Sequence, residues 1–285
     1  MKAWWRKSYA DVLGINERNL SWVYTRNPRA FFELANDKVL TKEILAAANI
    51  PVAKQLAVIQ RVGEIEAAWG AIDPVSCAIK PAHGSGGGGI LVLHRENASW
   101  KNNGAVVSES AIHKHIANII FGVFSFGSDD VALIEEKIVP HDAILRIFNQ
   151  GVADLRIIVC DNRPIMAMLR IPTLKSGGKA NLHQGALGIG VNIETGKTTS
   201  AFNGAHYVEL HPDSQFPLTN FLVPYWADCL DIAVKTSQSV PLNYLGVDIA
   251  FDQNLGPLVL EINVRPGLEI QNVNQLGLKR VLPKS

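Results

Sequence analysis

The sequence predicts an α+β fold made of α+β subdomains rather than a single doubly wound sheet. Helix-like and strand-like patterns are mixed along the first half of the chain without regular alternation. From residue 131 onward strand-like patterns dominate, and only one further helix is predicted, near residues 218–237. A hairpin pattern follows at residues 244–267. Regular strand–helix alternation would predict a parallel doubly wound sheet, so the mixed order favours α+β subdomains.

The first 35 residues predict a helical arm. Two basic residues follow a pair of tryptophans, so one interpretation is a segment that lies on a membrane surface. Because this basic run is short, a helix packed on the rest of the domain is the preferred one. The apolar set of the arm is Trp4, Trp5, Tyr9, Val12 and Leu13.

The elements after the arm follow from capping residues and apolar periodicity. Asn36 or Asp37 caps a helix over residues 38–48, which ends before Pro51 because a residue preceding proline disfavours the α region. The other predicted helices cover residues 62–69 and 109–121 and the late helix near 218–237. The predicted strands cover residues 54–59, 76–80, 89–93, 153–160, 164–170, 245–251 and 258–264.

Composition indicates an ordinary soluble globular protein. Apolar residues make up 47% and charged residues 19% of the 285 residues, enough for a substantial core. A net charge of +1 gives no electrostatic reason to expect nucleic-acid binding, and no apolar run is long enough for a membrane span. The start of the chain lacks a secretory signal pattern. The three cysteines, Cys77, Cys160 and Cys229, lie mostly in apolar runs, which predicts reduced thiols in a cytoplasmic protein.

The late hairpin carries the first chemical feature. Pairing Phe251 with Leu258 places Asp248 opposite Glu261, and two facing carboxylates destabilise a strand pair unless a cation neutralises them. Alternation puts Glu261, Asn263 and Arg265 on one face. Oxygen ligands of this kind suit Mg²⁺. Two alternatives remain, namely that one acid points into solvent or that Arg265 pairs with Glu261.

A glycine-rich loop between two strands carries the second feature. It lacks the ending of a P-loop and it opens a strand rather than a helix, so neither common nucleotide fingerprint fits. Its backbone N–H groups could instead close over phosphates as a flap, and Lys80 would add a positive charge. The alternative is a surface hairpin without function. The loop residues are Gly84, Ser85, Gly86, Gly87, Gly88 and Gly89.

A third segment contains charged residues on adjacent strands. Alternation puts Asp154 and Arg156 on one face, and a short turn returns a strand that ends at Arg170. A polar loop further on contains Lys179 and Asn181. Basic and amide groups near an acid-rich hairpin suggest anion binding. Surface salt bridges are the alternative for both arginines.

The order of these motifs resembles the ATP-grasp superfamily. Its nearest branch is the α-L-glutamate ligases that add glutamate to a ribosomal protein, and bacterial glutathione synthetase is similar as well. The resemblance covers residues 36–267. It rests on Asn36-Asp37-Lys38, Lys80-Pro81 with the glycine loop, Ile134-Glu135-Glu136-Lys137-Ile138, Asp154-x-Arg156, Asn181 and Asp248…Glu261-x-Asn263-x-Arg265-Pro266-Gly267.

The resemblance implies that ATP lies between two α+β subdomains, with Mg²⁺, or Mn²⁺ in its place, held by Asp248, Glu261 and Asn263. Lys38 and Lys80 would reach the phosphates under the flap. The other implied nucleotide contacts are Glu136, Lys137, Ile138, Asp154, Lys179 and Asn181. The implied catalytic residues are Arg265 at the acyl phosphate and Arg156 and Arg170 at a substrate carboxylate.

The implied reaction is ATP-dependent ligation of a carboxylate to an amine through an acyl phosphate, with glutamate, another amino acid, a peptide or a protein terminus as substrate. A nucleotide-binding regulatory module and a small-molecule kinase are the alternatives. The predicted division is an arm at residues 1–35 and an ATP-grasp domain at 36–285. Within that domain, residues 76–138 contain the flap and residues 139–285 the metal site. Relatives usually carry a further N-terminal domain, which a partner protein could replace here.

Overall fold

The computed structural model describes residues 9–84 and 86–283, which form two compact units. We call them the small unit and the large unit. The small unit comprises Asn36–Lys42 and Ala53–Ile138. The large unit comprises the described residues before 36, Glu43–Val52 and the described residues from 139 onward. Both are α+β, which confirms the predicted fold class, while the division of the domain at residues 35 and 138 stays a prediction.

The small unit contains a six-stranded antiparallel sheet in the order β1-β6-β2-β3-β4-β5. Two helices, Ile65–Gly70 and Glu109–Ile120, contribute to its apolar core. Their buried residues pack with inward-facing residues of β2 and β6, such as Ile79 and Ile134. The strands are β1 Gln55–Ile59, β2 Ser76–Pro81, β3 Leu91–Glu96, β4 Ser99–Asn102, β5 Ala105–Val107 and β6 Ala132–Glu136.

The helix Glu109–Ile120 forms as predicted because its local signals agree. The Ser108 side chain accepts a hydrogen bond from the Ala111 amide at 3.2 Å, which caps the first turn. The buried isoleucines Ile112, Ile116 and Ile119 follow helical spacing on one face. Sequence periodicity and capping therefore suffice to define this helix.

The hairpin strands β4 and β5 were not predicted from the sequence. Each is short, and β4 also carries polar residues, so the apolar alternation that identifies strands is weak there. Their tight turns contain Asn97, Ala98, Asn103 and Gly104, all with positive φ. Turn residues with positive φ match the twist of a hairpin and fix these strands locally.

The large unit contains a seven-stranded antiparallel sheet in the order β11-β10-β9-β8-β7-β12-β13. The central strands β7 and β12 are buried along nearly their whole length. The strands are β7 Asp154–Cys160, β8 Arg163–Ile171, β9 Leu187–Val191, β10 Thr198–Phe202, β11 Tyr207–Val208, β12 Tyr244–Asp252 and β13 Gly256–Asn263. The helices are Asp142–Leu145, Trp226–Gln238 and Glu269–Asn274, with 3-10 turns at Leu182–Gln184 and Leu278–Arg280.

The late helix begins at Trp226 rather than near residue 218 as predicted. The amide of Leu218 donates to Glu209 O, and that of Val223 donates to Gly196 O, both at 3.0 Å. Pro224 then has no amide to donate. The backbone amides of Leu218 and Val223 therefore bond to carbonyl groups of other loops, and the helix starts only after them.

The predicted hairpin forms, with Asp248 opposite Glu261. The predicted pairing of Phe251 with Leu258 is wrong, because Phe251 pairs with Pro257. A bulge between Asp248 and Ile249 shifts the register by one residue and restores the pairing of the two acids. The strand β13 ends at Asn263, so Arg265 lies beyond it.

The helix after the arm runs from Lys38 to Ala47. The Asp37 side chain caps it by accepting from the amides of Val39 at 2.8 Å and Leu40 at 3.2 Å. The turn at Ala48-Asn49 ends the helix before Pro51, as predicted.

The arm, defined here as residues 9–35, forms a series of short helices rather than one. Pro28 interrupts them, because proline disfavours the α region in the residue before it. The arm packs on its own unit, since Leu13, Trp22 and Val23 belong to the core. Its helices are Tyr9–Asp11, Ile15–Glu17, the π-helix Arg18–Val23, Tyr24–Arg26 and Arg29–Phe31, and the arm ends within the helix Glu33–Asn36.

Two buried amide side chains join the arm to the rest of the large unit. Asn27 donates to Tyr244 O at 2.6 Å and accepts from the Tyr244 amide at 3.0 Å. Gln271 accepts from the Leu13 amide at 2.8 Å and donates to Leu13 O at 3.1 Å. Each amide side chain therefore mimics a backbone strand partner.

Trp4 and Trp5 lie outside the described residues, so the membrane-surface interpretation of the arm is untested. Within residues 9–84 and 86–283, no helix combines the length and apolar character needed to cross a membrane.

We expect Asn27→Ala to lower the free energy of unfolding by about 2 kcal/mol or more, because it leaves buried backbone groups of Tyr244 without partners. Urea denaturation measures this change. Asn16→Ala, at an exposed position of the same arm, is the matched control and should change stability by less than about 0.5 kcal/mol. Equal losses in the two variants would contradict the assigned role of Asn27.

Candidate functional site

Four charged residues form a cluster across three adjacent strands of the large unit. Asp154 and Arg156 lie on the central strand β7, where Asp154 pairs with Arg170 of β8 and Arg156 pairs with Asp248 of β12. Because residues two apart on a strand share a face, all four side chains lie on one side of the sheet. The predicted common face of Asp154 and Arg156 agrees with these contacts.

Asp248 is the centre of this cluster and is only 1% exposed. Arg156 binds it in a bidentate manner, with Nε to Oδ1 at 2.7 Å and Nη2 to Oδ2 at 2.6 Å. Arg170 Nη2 donates to Oδ2 at 2.6 Å, and Asn263 Nδ2 donates to the same oxygen at 3.2 Å. Arg170 also binds Asp154 through Nε and through Nη2, the latter at 2.8 Å.

The two carboxyl groups of the cluster respond differently to the same surroundings. Burial opposes ionisation of Asp248, but the guanidinium groups of Arg156 and Arg170 outweigh it and hold the pKa of that carboxyl well below its usual range. Burial raises the pKa of Asp154 to about 7; the nearby Asp248 charge also raises it, and Arg170 opposes the rise. Against the effect of burial, both acids raise the pKa of Arg170.

The arginines of the cluster are therefore not surface salt-bridge residues. The side chains of Arg156 and Arg170 are 11% and 12% exposed, which excludes the surface alternative considered for them. Whether they bind a substrate carboxylate stays a prediction.

The acid hairpin supplies a set of hard oxygen donors beside this cluster. Asn263 Nδ2 donates to Asp248 and also to Glu261 Oε1 at 3.4 Å, which brings the three predicted metal ligands together. Glu261 is half-buried, so neither acid points freely into solvent. Carboxylate and amide oxygens fit Mg²⁺ in kind. Asp248 already accepts four hydrogen bonds, three at Oδ2 and one at Oδ1, so Oδ1 is the oxygen with capacity left for a metal.

Arg265, the predicted residue at the reacting phosphoryl group, is held differently. Its guanidinium carbon lies 5.6 Å from the centre of the Tyr24 ring and 5.3 Å from that of Phe32. Its Nη2 donates to the Tyr24 hydroxyl at 3.3 Å. Within residues 9–84 and 86–283, Arg265 forms no ion pair, so the alternative that it pairs with Glu261 is wrong.

A second charged cluster lies in the small unit around Lys80. Glu135 on β6 contacts Lys80 Nζ at 2.5 Å and Lys42 Nζ at 2.7 Å, and all three residues are buried. Lys42 Nζ also donates to Ala53 O at 2.5 Å. Burial disfavours the ionised form of Glu135, but the attraction of Lys80 and Lys42 is larger and lowers the pKa of its carboxyl group. Burial lowers the pKa of Lys42 despite Glu135.

Sequence reasoning missed Lys42 and the role of Glu135. Glu135 was noted only as part of a motif, although an acid that follows Ala132, Leu133 and Ile134 in a buried strand is a signal for a buried cation partner. Lys42 is four residues after Lys38 on the same helix, a spacing that places them on one face.

The side chain of Lys38 contacts the first residue of the glycine loop. Lys38 Nζ donates to Gly84 O at 2.6 Å and to Ala82 O at 3.2 Å. At the other end of the loop Gly89 has a φ of 73°, and a Cβ there would lie 2.6 Å from the Phe124 ring. Only glycine fits this approach. Gly86 and Gly87 also have positive φ, whereas Ser85 lies outside the described residues.

The remaining predicted nucleotide contacts fall on the two units separately. In the small unit, Glu136 ends β6 and pairs with Lys54 at 3.1 Å, and Lys137 and Ile138 follow it. In the large unit, Lys179 is exposed in a loop, and Asn181 Oδ1 accepts from the His183 amide at 3.0 Å. Their contact with a nucleotide stays a prediction.

The two antiparallel sheets with their charged clusters define a protein of the ATP-grasp class. Residues 17–284 match the family model described as sugar-transfer associated ATP-grasp, and the chain belongs to that family. The predicted resemblance to ATP-grasp proteins is thus confirmed. The sugar-transfer association was not predicted from the sequence.

One curated protein is similar in sequence to this chain. A probable α-L-glutamate ligase from Mannheimia succiniciproducens is 27% identical over 249 residues, which cover 86% of this chain and 60% of that protein. The chain therefore spans less than two thirds of that relative.

Two solved structures are similar in fold. The phosphoribosylamine–glycine ligase of Thermotoga maritima matches with a TM-score of 0.53 and 16% identity, over 87% of this chain and 53% of that one. A biotin carboxylase of Campylobacter jejuni matches with a TM-score of 0.50 and 16% identity, over 88% and 48% of the two chains. At this identity the likeness shows the fold alone.

We expect Arg170→Met to lower the free energy of unfolding by about 3–5 kcal/mol, because it removes a buried guanidinium from two buried carboxylates. Urea denaturation measures the loss. Arg163→Met, at the exposed start of the same strand, is the matched control and should have little effect. A stable Arg170→Met protein would show that the cluster is not a structural requirement.

The lowered pKa of Glu135 makes a pH-dependent contribution to stability. The contribution is present above the unfolded-state pKa of about 4.3 and is lost as the pH falls toward the lower folded-state value. We expect Glu135→Gln to lower the free energy of unfolding at neutral pH. As the pH falls below about 4.3, this variant should lose less additional stability than the wild type does. Urea unfolding across this range, with exposed Glu66→Gln as the control, measures the difference. Parallel pH profiles for wild type and Glu135→Gln would contradict it.

Proposed function

We propose that this protein is an ATP-dependent ligase that joins a carboxylate to an amine. The observation that carries the proposal is the acid hairpin, in which Asp248 faces Glu261 while two arginines converge on Asp248. Such a concentration of paired charge is unfavourable in a core that serves only packing. Membership of an ATP-grasp family and the relative described as a probable glutamate ligase support the same activity.

In this proposal the small unit supplies nucleotide contacts. Lys38 and Lys80 contact phosphate oxygens, and the backbone of the glycine loop covers them. Two lysines share the single carboxylate of Glu135, so the buried cluster carries an excess of positive charge. An excess of positive charge suits a polyphosphate. Glu136, Lys137 and Ile138 form the adenine and ribose edge.

The large unit supplies the metal and substrate contacts. Asp248, Glu261 and Asn263 would hold Mg²⁺, or Mn²⁺ in its place, which neutralises phosphate charge during phosphoryl transfer. Asp154, Lys179 and Asn181 lie beside the nucleotide in this proposal. Arg156 and Arg170 orient a substrate carboxylate through bidentate contacts.

The reaction then proceeds in two steps. A carboxylate oxygen of the substrate attacks the γ-phosphorus of ATP, and ADP leaves, which gives an acyl phosphate. The amine attacks the acyl carbon, loses a proton, and phosphate leaves with the pair of electrons of the C–O bond. Arg265 stabilises the phosphoryl oxygens and the oxyanion of the second step. Phosphoryl transfer of this kind requires positioning and charge neutralisation rather than a protein nucleophile.

The substrates are a carboxylic acid and an amine, with glutamate or another amino acid as the leading candidate. The relative that supports this choice is described as a probable α-L-glutamate ligase. The family description also associates this family with sugar transfer, so sugar acids and amino sugars belong in the substrate panel beside amino acids and peptides. A partner protein that presents the acceptor is compatible with the proposal.

Phosphate release from ATP–Mg²⁺ across this panel tests the proposal. We expect release that requires an acid and an amine together, and a loss of about 100-fold or more in Glu261→Gln, which removes a metal ligand charge. Glu194→Gln, at an exposed turn of the same unit, is the matched control and should retain full activity. Asp248→Asn should also be inactive, although it disturbs the arginines as well.

Two outcomes would replace the ligase by another function. A stable phosphorylated acid formed without an amine would identify a kinase. ATP binding with no turnover on any member of the panel would identify a nucleotide-binding module. Unchanged turnover in Glu261→Gln would refute the metal assignment.

A further inference from the structure

We propose that the arm is a positioning element for Arg265 and acts through Tyr24, Phe32 and Arg18. The inference rests on the proposed function in one respect, since it takes Arg265 as the residue that contacts the reacting phosphoryl group. It assigns a role in the reaction to a segment that the proposed ligase mechanism does not use.

The contacts of Arg265 come from the arm. Tyr24 and Phe32 place their rings 5.6 Å and 5.3 Å from its guanidinium carbon, and the Tyr24 hydroxyl accepts from Nη2 at 3.3 Å. Aromatic faces attract a cation through the ring quadrupole without neutralising its charge. Tyr24 and Phe32 can therefore hold the guanidinium in place and leave its full charge available to an anion.

The charge environment of Arg265 contrasts with that of Arg156 and Arg170. Those two arginines are bound by the carboxylates of Asp154 and Asp248. Arg265 has no carboxylate partner within the described part of the chain, and it is exposed. Of these three arginines, Arg265 alone is oriented by uncharged groups.

Arg18 fixes the backbone that carries Arg265. It is 6% exposed, and its Nη1 donates to Pro266 O at 2.9 Å and to Arg265 O at 3.4 Å. Its other nitrogens donate to Asn19 Oδ1 at 2.8 Å and 3.1 Å. Among the described residues Arg18 also has no carboxylate partner, and burial lowers its pKa.

A buried cation with only neutral partners costs free energy that an apolar residue would not. Arg18 donates to the backbone carbonyl groups of Arg265 and Pro266. These residues follow the end of β13, so strand pairing no longer holds the chain there. Arg18 thus replaces strand pairing as the constraint on this loop.

The π-helix of the arm sets the relation between Arg18 and Tyr24. The Tyr24 amide donates to Asn19 O, five residues back, at the end of the π-helix Arg18–Val23. A π-helical turn is rare and is frequently found at functional sites. Here the wide turn lies between the residue that contacts the backbone of Arg265 and the residue that contacts its guanidinium.

A double-mutant cycle tests the inference in the full chain. Tyr24→Phe keeps the ring and removes the hydroxyl, so we expect kcat for phosphate release to fall by about three- to tenfold. The KM for ATP should stay within about twofold, since ATP binding does not depend on this contact. Tyr9→Phe, at a 77% exposed position of the same arm, is the matched control and should leave kcat unchanged.

The same substitution in an Arg265→Lys background decides between positioning and general stability. If Tyr24 acts through Arg265, Tyr24→Phe adds no further loss there, because lysine cannot form the same contacts. An equal loss in both backgrounds would overturn the inference. So would equal kcat values for Tyr24→Phe and Tyr9→Phe.

A second readout does not require turnover. The Nε–Hε resonance of Arg265, assigned by its absence in Arg265→Lys, should be displaced by the ring currents of Tyr24 and Phe32 and should move toward the random-coil position in Tyr24→Leu. A wild-type resonance already at the random-coil position would overturn the inference. If the wild type turned over no substrate, the proposed function would fail while this resonance still tested the role of the arm.

Discussion

The buried carboxylate of Asp248 is the constraint on which the large unit depends. A carboxylate that is 1% exposed must be paired, and its partners come from three different strands or their flanks. Arg156 and Arg170 can reach it together only if β7 lies between β8 and β12. The bulge in the hairpin then keeps Glu261 opposite Asp248. The strand order, the register and the bulge thus serve one electrostatic requirement.

The charged clusters of the two units are unbalanced in opposite directions. In the small unit, two lysines share one carboxylate, which leaves positive charge in excess. In the large unit, the three carboxyl groups of Asp154, Asp248 and Glu261 share one face of the sheet with the two guanidinium groups of Arg156 and Arg170. The first imbalance suits a polyphosphate and the second suits a divalent cation. The proposed division of roles between the units rests on this difference.

Local patterns in the sequence predicted what is local in the structure. The helix Glu109–Ile120 and the turn at Asp161 and Asn162 with positive φ were predicted from neighbouring residues. The facing of Asp248 and Glu261 was predicted as well, although from a register that the bulge shifts by one residue. The convergence of two arginines on Asp248 depends on strand order, and the contact of Tyr24 with Arg265 joins residues 241 apart in the chain. Periodicity contains no information on such pairings. The start of the late helix was misplaced for a related reason, since the backbone partners of Leu218 and Val223, which precede the helix, lie in two other loops.

The three arginines proposed for catalysis differ in what a phosphate or carboxylate would gain from them. Arg156 and Arg170 already bind carboxylates, so a new anion must replace or share existing charge-assisted hydrogen bonds, and the net gain is small. Arg265 is oriented by two aromatic rings and a hydroxyl, so an anion adds an interaction without breaking a comparable one. Interactions that form only as charge develops are those that accelerate a reaction. Arg265, held by the arm, is therefore the arginine best suited to the transition state, whereas the paired arginines are better suited to orientation.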